Sequence, residues 1–255
     1  MPKVISILIA LSLPFSSDSM AAPASEPAAS AAVSCRAGTH DYRISRKGES
    51  KGLMSVSISR DESMCRIEVR EWLEDTHYCH QIYRREIWEA RELVDYLSMT
   101  KGWCGVLAKL HDAAACRWNS DGSPIEVTAQ LVDDKIEIRS SEGLAEYPAG
   151  VTTMTFLGPR YPFGSATLFI IDPLRGGVTQ TQITELASDA GKMTYEVAGD
   201  RLSTLRYDRD QMLLQQVIDG GIGGDVKFDL LSSSVERPVA VEPKCKVVFD
   251  PLQAR

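Results

Sequence analysis

The chain has 255 residues, a formal net charge of −7 and a pI near 5.2. That acidity argues against a nucleic-acid partner, which wants a basic face, and acts mainly through solubility. Its first residues are Lys3, an apolar run from Val4 to Phe15, and small residues around Ser19, Met20 and Ala21. This is the pattern of a secretory signal peptide, assigned to 1–22 with cleavage near Ala21 or Ala22. The apolar run is shorter than the ~20 residues a spanning helix needs, so no stable membrane span is expected; a retained anchor is the alternative. A Pro/Ala/Ser stretch, 23–34, can bury little and reads as a flexible lead-in. One antiparallel β domain is then expected over 35–231, followed by a tail, 232–255, whose Cys245, Val247, Val248 and Phe249 indicate a docked end.

All six cysteines, Cys35, Cys65, Cys79, Cys104, Cys116 and Cys245, follow the signal. An even number in an exported chain points to three disulfides and an oxidising compartment. The compartment expected is the periplasm of a Gram-negative bacterium.

Residues 39–46 have a strand composition and end at a hairpin signal containing Lys47 and Gly48. In 51–59, Met54, Val56 and Ile58 alternate with serines, the period of a half-buried strand. After a turn at 61–63, the strand 64–73 puts Cys65, Ile67 and Val69 on one face and Arg66, Glu68 and Arg70 on the other. The segment 77–100 is ambiguous by local pattern. Ile87, Ala90, Val94 and Leu97 make a helical stripe, while alternation also fits in places.

Further on, 125–131 and 135–139 form a hairpin through Asp133 and Asp134, with Ile125, Val127, Ala129 and Leu131 on one face. From Gly143 to Gly164 the pattern breaks at Pro148, Gly150, Gly158, Pro159 and Pro162. A long loop carrying Met154, Phe156, Leu157, Tyr161 and Phe163 is expected to cover something. Residues 166–172 read as strand or short helix, and 178–186 as a strand. The stretch 192–231 has turn compositions at 198–200, 208–211 and 219–225, and the segments between them are rich in β-formers. Four antiparallel strands in a meander are expected there, with Met193, Tyr195 and Val197 on one side of the first and Val226, Phe228 and Leu230 on one side of the last.

Residues 83–100, with Glu86, Trp88, Leu93 and Thr100, together with 172–177 and the 192–231 stretch, resemble a family of bacterial exported domains of unknown function. In that family a Glu-x-Trp strand turns through Asp-Gly into a strand ending at Thr. Two departures are visible: Ala90 and Arg91 stand at the turn, and Arg206 stands where the family has Trp ahead of Tyr and Asp, here Tyr207 and Asp208. The resemblance implies a strongly curved antiparallel sheet of the half-barrel kind, similar in shape to periplasmic lipoprotein carriers. It favours strand, turn at 90–92 and return strand for 84–99, and it implies no catalytic residues. Against that pattern, the residues after Thr100 read as an insertion with a short helix from about Val106 to Ala115. Cys104 and Cys116 bracket this insertion and are the first pairing expected. Cys65 with Cys79, tying neighbouring strands, and Cys35 with Cys245, fastening the two ends, are the others.

The sequence contains no nucleophile elbow, no His-Glu-x-x-His and no phosphate-binding Gly-rich loop with its Lys; Gly220, Gly221, Gly223 and Gly224 fit a hairpin loop instead. His77, Cys79 and His80 are the most metal-like cluster. On a strand His80 faces away from the other two, so no metal and no cofactor are expected. Glu86, Glu89, Glu92 and Asp95 read as a solvated strand face. A cysteine nucleophile is disfavoured by the even count.

The fold class expected is therefore mainly β, a curved meander or half-barrel with a short, disulfide-closed helical insertion. The function expected is a non-catalytic binding protein whose curved sheet holds an apolar small molecule or lipid, with Trp88, Phe156, Tyr161 and Phe163 as wall candidates. An envelope protein-interaction or assembly module is the second reading, and a hydrolase with an unrecognised site the third.

Overall fold

Strand-length runs of alternating residues need a partner for every backbone N–H and C=O, and here each finds it in the next hairpin arm. The computed structural model describes residues 35–75, 78–104, 124–156, 165–189, 191–199, 202–219 and 224–234, the backbone alone at 75, 78–80, 103–104, 187–189, 232 and 234. These residues belong to one compact unit, Ala32–Arg255. Their strands are β1 (Gly38–Arg46), β2 (Glu49–Asp61), β3 (Met64–Asp75), β4 (Tyr78–Glu89), β5 (Glu92–Cys104), β6 (Ile125–Val132), β7 (Lys135–Ser140), β8 (Gly143–Pro148), β9 (Ala166–Ile171), β10 (Val178–Asp189), β11 (Lys192–Ala198), β12 (Leu202–Tyr207), β13 (Leu213–Ile218) and β14 (Val226–Ser234).

All fourteen strands lie in one sheet, ordered β8-β7-β6-β5-β4-β3-β2-β1-β14-β13-β12-β11-β10-β9. Consecutive hairpins march outward from β1 to the edge β8. The antiparallel pairing of β14 with β1 joins a second run of hairpins that ends at the other edge, β9. The predicted hairpins at 39–59, 125–139 and 192–231 are all present, and 84–99 is two strands rather than a helix. The tight turns use the left-handed conformations that match strand twist: Lys47 and Gly48 have φ of 51° and 80°, and Ala90 takes φ of 53° where the family resemblance would place Asp-Gly. Asp208 organises the β12–β13 turn, its Oδ1 accepting the N–H groups of Asp210 and Met212, both at 2.9 Å.

Two expectations change. Gly143–Pro148 was read as broken pattern and is strand β8, since Leu144, Glu146 and Tyr147 tolerate an edge position and Pro148 stands at its end. Residues 166–171 are strand β9, which settles the strand-or-helix alternative there. Beyond Ser234 the tail, the insertion helix at 106–115 and the leading segments 1–22 and 23–34 lie outside the described residues.

Laid flat, thirteen strand spacings of about 4.8 Å would put the two edges about 60 Å apart. Yet Thr152, four residues after Pro148, is bridged to Ile170 of β9, and four residues of chain span at most about 14 Å. The sheet is therefore rolled, with its edges approaching through a linking segment and not through a continuous ladder. The bridge is parallel: Thr152 donates its N–H to the Phe169 carbonyl at 2.8 Å and accepts that of Ile171 at 2.9 Å. The β9–β10 turn also reaches the opposite limb. A Cβ on Gly176, which has φ of +75°, would lie 2.7 Å from Cβ of Ser140 at the end of β7.

Rolling buries one face of the sheet on itself. Cross-strand register places Tyr42, Met54, Val56, Ile67, Val69, Ala129, Ile138, Tyr195, Leu205 and Phe228 on that inner face, and all are buried. Among the described residues, curvature and the linking segment bury this hydrophobic layer.

One disulfide is present among the described residues, Cys35 to Cys65, with a sequence separation of 30. It replaces both expected pairs, Cys65–Cys79 and Cys35–Cys245. Cys65 faces inward at the start of β3, where Arg60 of β2 is its cross-strand neighbour, and Cys35 arrives just ahead of β1 beside Ser59. Two positions far apart in sequence thus meet because β1 and β3 flank β2. Cys104–Cys116 lies outside the described side chains. Closing the Cys35–Cys65 loop, a separation of 30, constrains the unfolded chain by about 3.6 kcal/mol in the loop-entropy account. A Cys35→Ala/Cys65→Ala variant is expected to lose about that much unfolding free energy in urea titration, while reducing agent has no further effect on it through this bond.

Candidate functional site

The linking segment after β8 enters the rolled sheet as a plug. Val151, Thr152, Thr153, Thr155 and Phe156 are buried, whereas Met154 is 41% exposed. Such a segment carries polar backbone and hydroxyls into an apolar interior, so it needs acceptors there. Glu86 of β4 supplies them. Its Oε1 accepts the hydroxyls of Thr153 (2.8 Å) and Thr155, and its Oε2 accepts the Trp88 indole N–H at 3.0 Å. Tyr207 of β12 holds the far end, donating its hydroxyl to the Phe156 carbonyl at 2.8 Å.

β4 explains why an acid is found there. Register pairs Ile67 with Glu86, Val69 with Arg84 and Cys65 with Trp88, which puts Arg84, Glu86 and Trp88 on the inner face. Glu86 thus sits inside rather than on the solvated face expected for it; of the four acids read that way, Glu89 is exposed and Asp95 pairs with Arg85 at 2.9 Å near the surface. The misleading signal was the apolar Tyr83 and Ile87 on the opposite face. Arg84 in turn forms an ion pair with Glu71 of β3 at 3.2 Å, each side chain only 9% exposed.

Burial pushes the Glu86 carboxyl above its ordinary value, against the pull of Thr155, Thr153, Trp88 and Arg84. A proton held more tightly by the folded chain than the unfolded one contributes stability that is full below the unfolded value and is lost as pH rises through the folded one. Glu86→Gln keeps the shape. Its carbonyl can take the indole N–H and its amide can donate to threonine hydroxyls that rotate to accept. Urea unfolding is therefore expected to show a flatter loss of stability above the ordinary glutamate value of 4.5 in Glu86→Gln than in the parent, the difference reaching up to about 1.4 kcal/mol per pH unit. Identical slopes in the two proteins would rule out Glu86 as the source.

Beside the plug lies a cleft of about 370 Å³. Met154 and Phe156 of the plug close it from one side, and Ile170, Val197 and Ile218 of β9, β11 and β13 form the other. Asp172, Thr179, Thr181 and Ser203 are its polar groups. The volume falls within the range of small-molecule sites and is more than twice the ~150 Å³ of an engineered cavity that admits benzene. The arrangement is an apolar body with three hydroxyls and one carboxylate; His40, the one histidine with a described side chain, lies elsewhere, hydrogen-bonded to Ser233 at 2.9 Å.

Of the four wall residues expected from sequence, Phe156 lines this cleft. Trp88 does not; it is fully buried and serves Glu86. Tyr161 and Phe163, and the side chains of His77, Cys79 and His80, lie outside the described residues. The cleft residues that sequence reading did not single out, Ile170, Val197 and Ile218, look like any strand core position. Only the roll of the sheet brings β9, β11 and β13 around Met154.

The fold and site define a class: a rolled, open antiparallel sheet whose interior is plugged by its own chain and retains an apolar cleft. Among solved structures, the chain is similar to a β-barrel-like protein of the domain of unknown function DUF1849 from Brucella abortus, at 11% identity and a TM-score of 0.53, over 80% of this chain and 100% of that one. A protein of the DUF1089 family from Pseudomonas aeruginosa matches at 13% identity and a TM-score of 0.39, over 63% of this chain and 87% of that one. No protein-family model matches the chain, and no curated protein matches it. The Brucella likeness shows a shared barrel-like fold with a bacterial domain of unknown function.

Proposed function

We propose that this chain is a non-catalytic binding protein of the bacterial periplasm whose rolled sheet holds an apolar small molecule, a lipid or acyl chain, in the cleft between the plug and β9–β13. The observation that carries the reading is the cleft itself. Beside an interior that buries an acid and an ion pair, the cleft offers about 370 Å³ lined mainly by apolar side chains. Water in such a space gains few hydrogen bonds, so an apolar occupant is favoured. The Cys35–Cys65 disulfide fits an oxidising compartment, and no helix among the described residues is long and apolar enough to cross a membrane.

Native mass spectrometry of protein purified from periplasm without detergent tests this reading. A discrete additional mass, released on denaturation and extractable into organic solvent, is the expected result. An apo mass that also stays unchanged after incubation with acyl-chain probes would overturn it and direct attention to a protein partner for an envelope-assembly role.

A further inference from the structure

We propose that the cleft selects its occupant by charge, taking an apolar body that carries a hydroxyl or an ammonium group and disfavouring a fatty-acid carboxylate. The proposal rests on the apolar-binding reading above and adds the headgroup to it.

The polar groups of the cleft carry the inference. Three are hydroxyls, Thr179, Thr181 and Ser203, which serve as donor or acceptor and match a ligand hydroxyl. The fourth is the carboxylate of Asp172, at the point where β9 gives way to the β9–β10 turn. Among the described lining residues there is no Lys, Arg or His. A carboxylate ligand would thus enter a mainly apolar cleft whose described lining holds an acid and no cation, so like charges oppose each other there. An ammonium there meets an opposite charge, and an alcohol meets hydroxyls at no charge cost.

Asp172 is placed firmly enough to act this way. Its Oδ1 accepts the N–H groups of Leu174 at 2.8 Å and Arg175 at 3.2 Å, its own N–H donates to the Gly177 carbonyl at 2.8 Å, and its carbonyl accepts the Gly176 N–H at 2.9 Å. Among the described residues no hydrogen bond is made to Oδ2, which leaves one oxygen for a ligand. Because both turn-forming bonds use Oδ1, Asp172→Asn keeps the acceptor and removes the charge. Ser203 offers the complementary change. It lies between Val197 and Ile218 on the inner face, so Ser203→Leu puts an apolar side chain into the cleft among apolar neighbours.

The test is calorimetric titration of the full mature chain, freed of bound material, with decylamine, decanol and decanoate below their aggregation limits. Decylamine and decanol are expected to bind, with decanoate weaker than decylamine by about tenfold or more. Asp172→Asn is expected to bring amine and alcohol to within about twofold of each other and to strengthen decanoate, with thermal unfolding little changed. Ser203→Leu is expected to abolish binding of all three. Equal affinities in the parent, or decanoate tightest, would overturn charge selection while leaving apolar binding intact. Binding untouched by Ser203→Leu would place the ligand elsewhere and overturn it too, and binding of none of the three would sink both readings together.

Discussion

Arg84→Ala is expected to cost about 3–5 kcal/mol of unfolding free energy, because it removes the guanidinium from a nearly buried ion pair in which Arg84 and Glu71 are each only 9% exposed. The same loss removes the cation that opposes the burial of Glu86. The contrasting variant is Glu71→Leu with Arg84→Met. Removing both charges together and filling their volume with apolar side chains also removes the desolvation cost of the pair, so the double variant is expected to be close to the parent or above it. Urea titration of the three proteins decides the point. If the single and double variants lose equal stability, the pair's role is packing and not charge compensation.

Trp88→Ala should lose a comparable amount, about 3–5 kcal/mol, through the cavity left by the largest fully buried side chain and the loss of a donor to Glu86. Trp88→Phe isolates the second effect. It preserves most of the packed ring and removes only the indole N–H, so about 1–3 kcal/mol is expected, the cost of one unsatisfied acceptor on a buried acid. Trp88 was a sequence-level candidate for the ligand wall, and the structure separates the two roles. A core residue changes unfolding free energy and leaves ligand affinity alone. A several-fold change in affinity for Trp88→Phe, with stability unaltered, would return Trp88 to the binding surface.

The plug gives these interior groups a common purpose. A single-layer sheet of this width has an apolar face too large for its own side chains to cover unless it rolls, and rolling leaves space along the axis. The chain fills part of that space with Val151–Phe156. Of the polar groups this introduces, the Thr152 backbone is matched by β9, the Thr153 and Thr155 hydroxyls by Glu86, and the Phe156 carbonyl by Tyr207. The cleft lies beside that plug.

Much of the strand architecture was legible in local pattern. The period-2 alternation of Met54, Val56 and Ile58, of Ile125, Val127 and Ala129, and of Val226 and Phe228 follows from the pleat of a strand with one buried face, and turns such as Lys47-Gly48 announce themselves because few residues accept φ above zero. The 84–99 hairpin was harder. Ala90 sits in a left-handed turn without glycine, and β4 turns polar side chains inward, so turn chemistry was silent and alternation fitted only in places beside a competing helical stripe.

Strand periods, hairpin positions and the polarity of most faces were determined by the sequence alone, since they depend on backbone geometry over a few residues. The pairing of β14 with β1, the Cys35–Cys65 bond, the burial of Glu86 with the Arg84–Glu71 pair, and the cleft around Met154 and Phe156 were decided only by the tertiary structure. Each joins residues separated by long stretches of chain, and their proximity depends on sheet order and curvature, which no local pattern encodes.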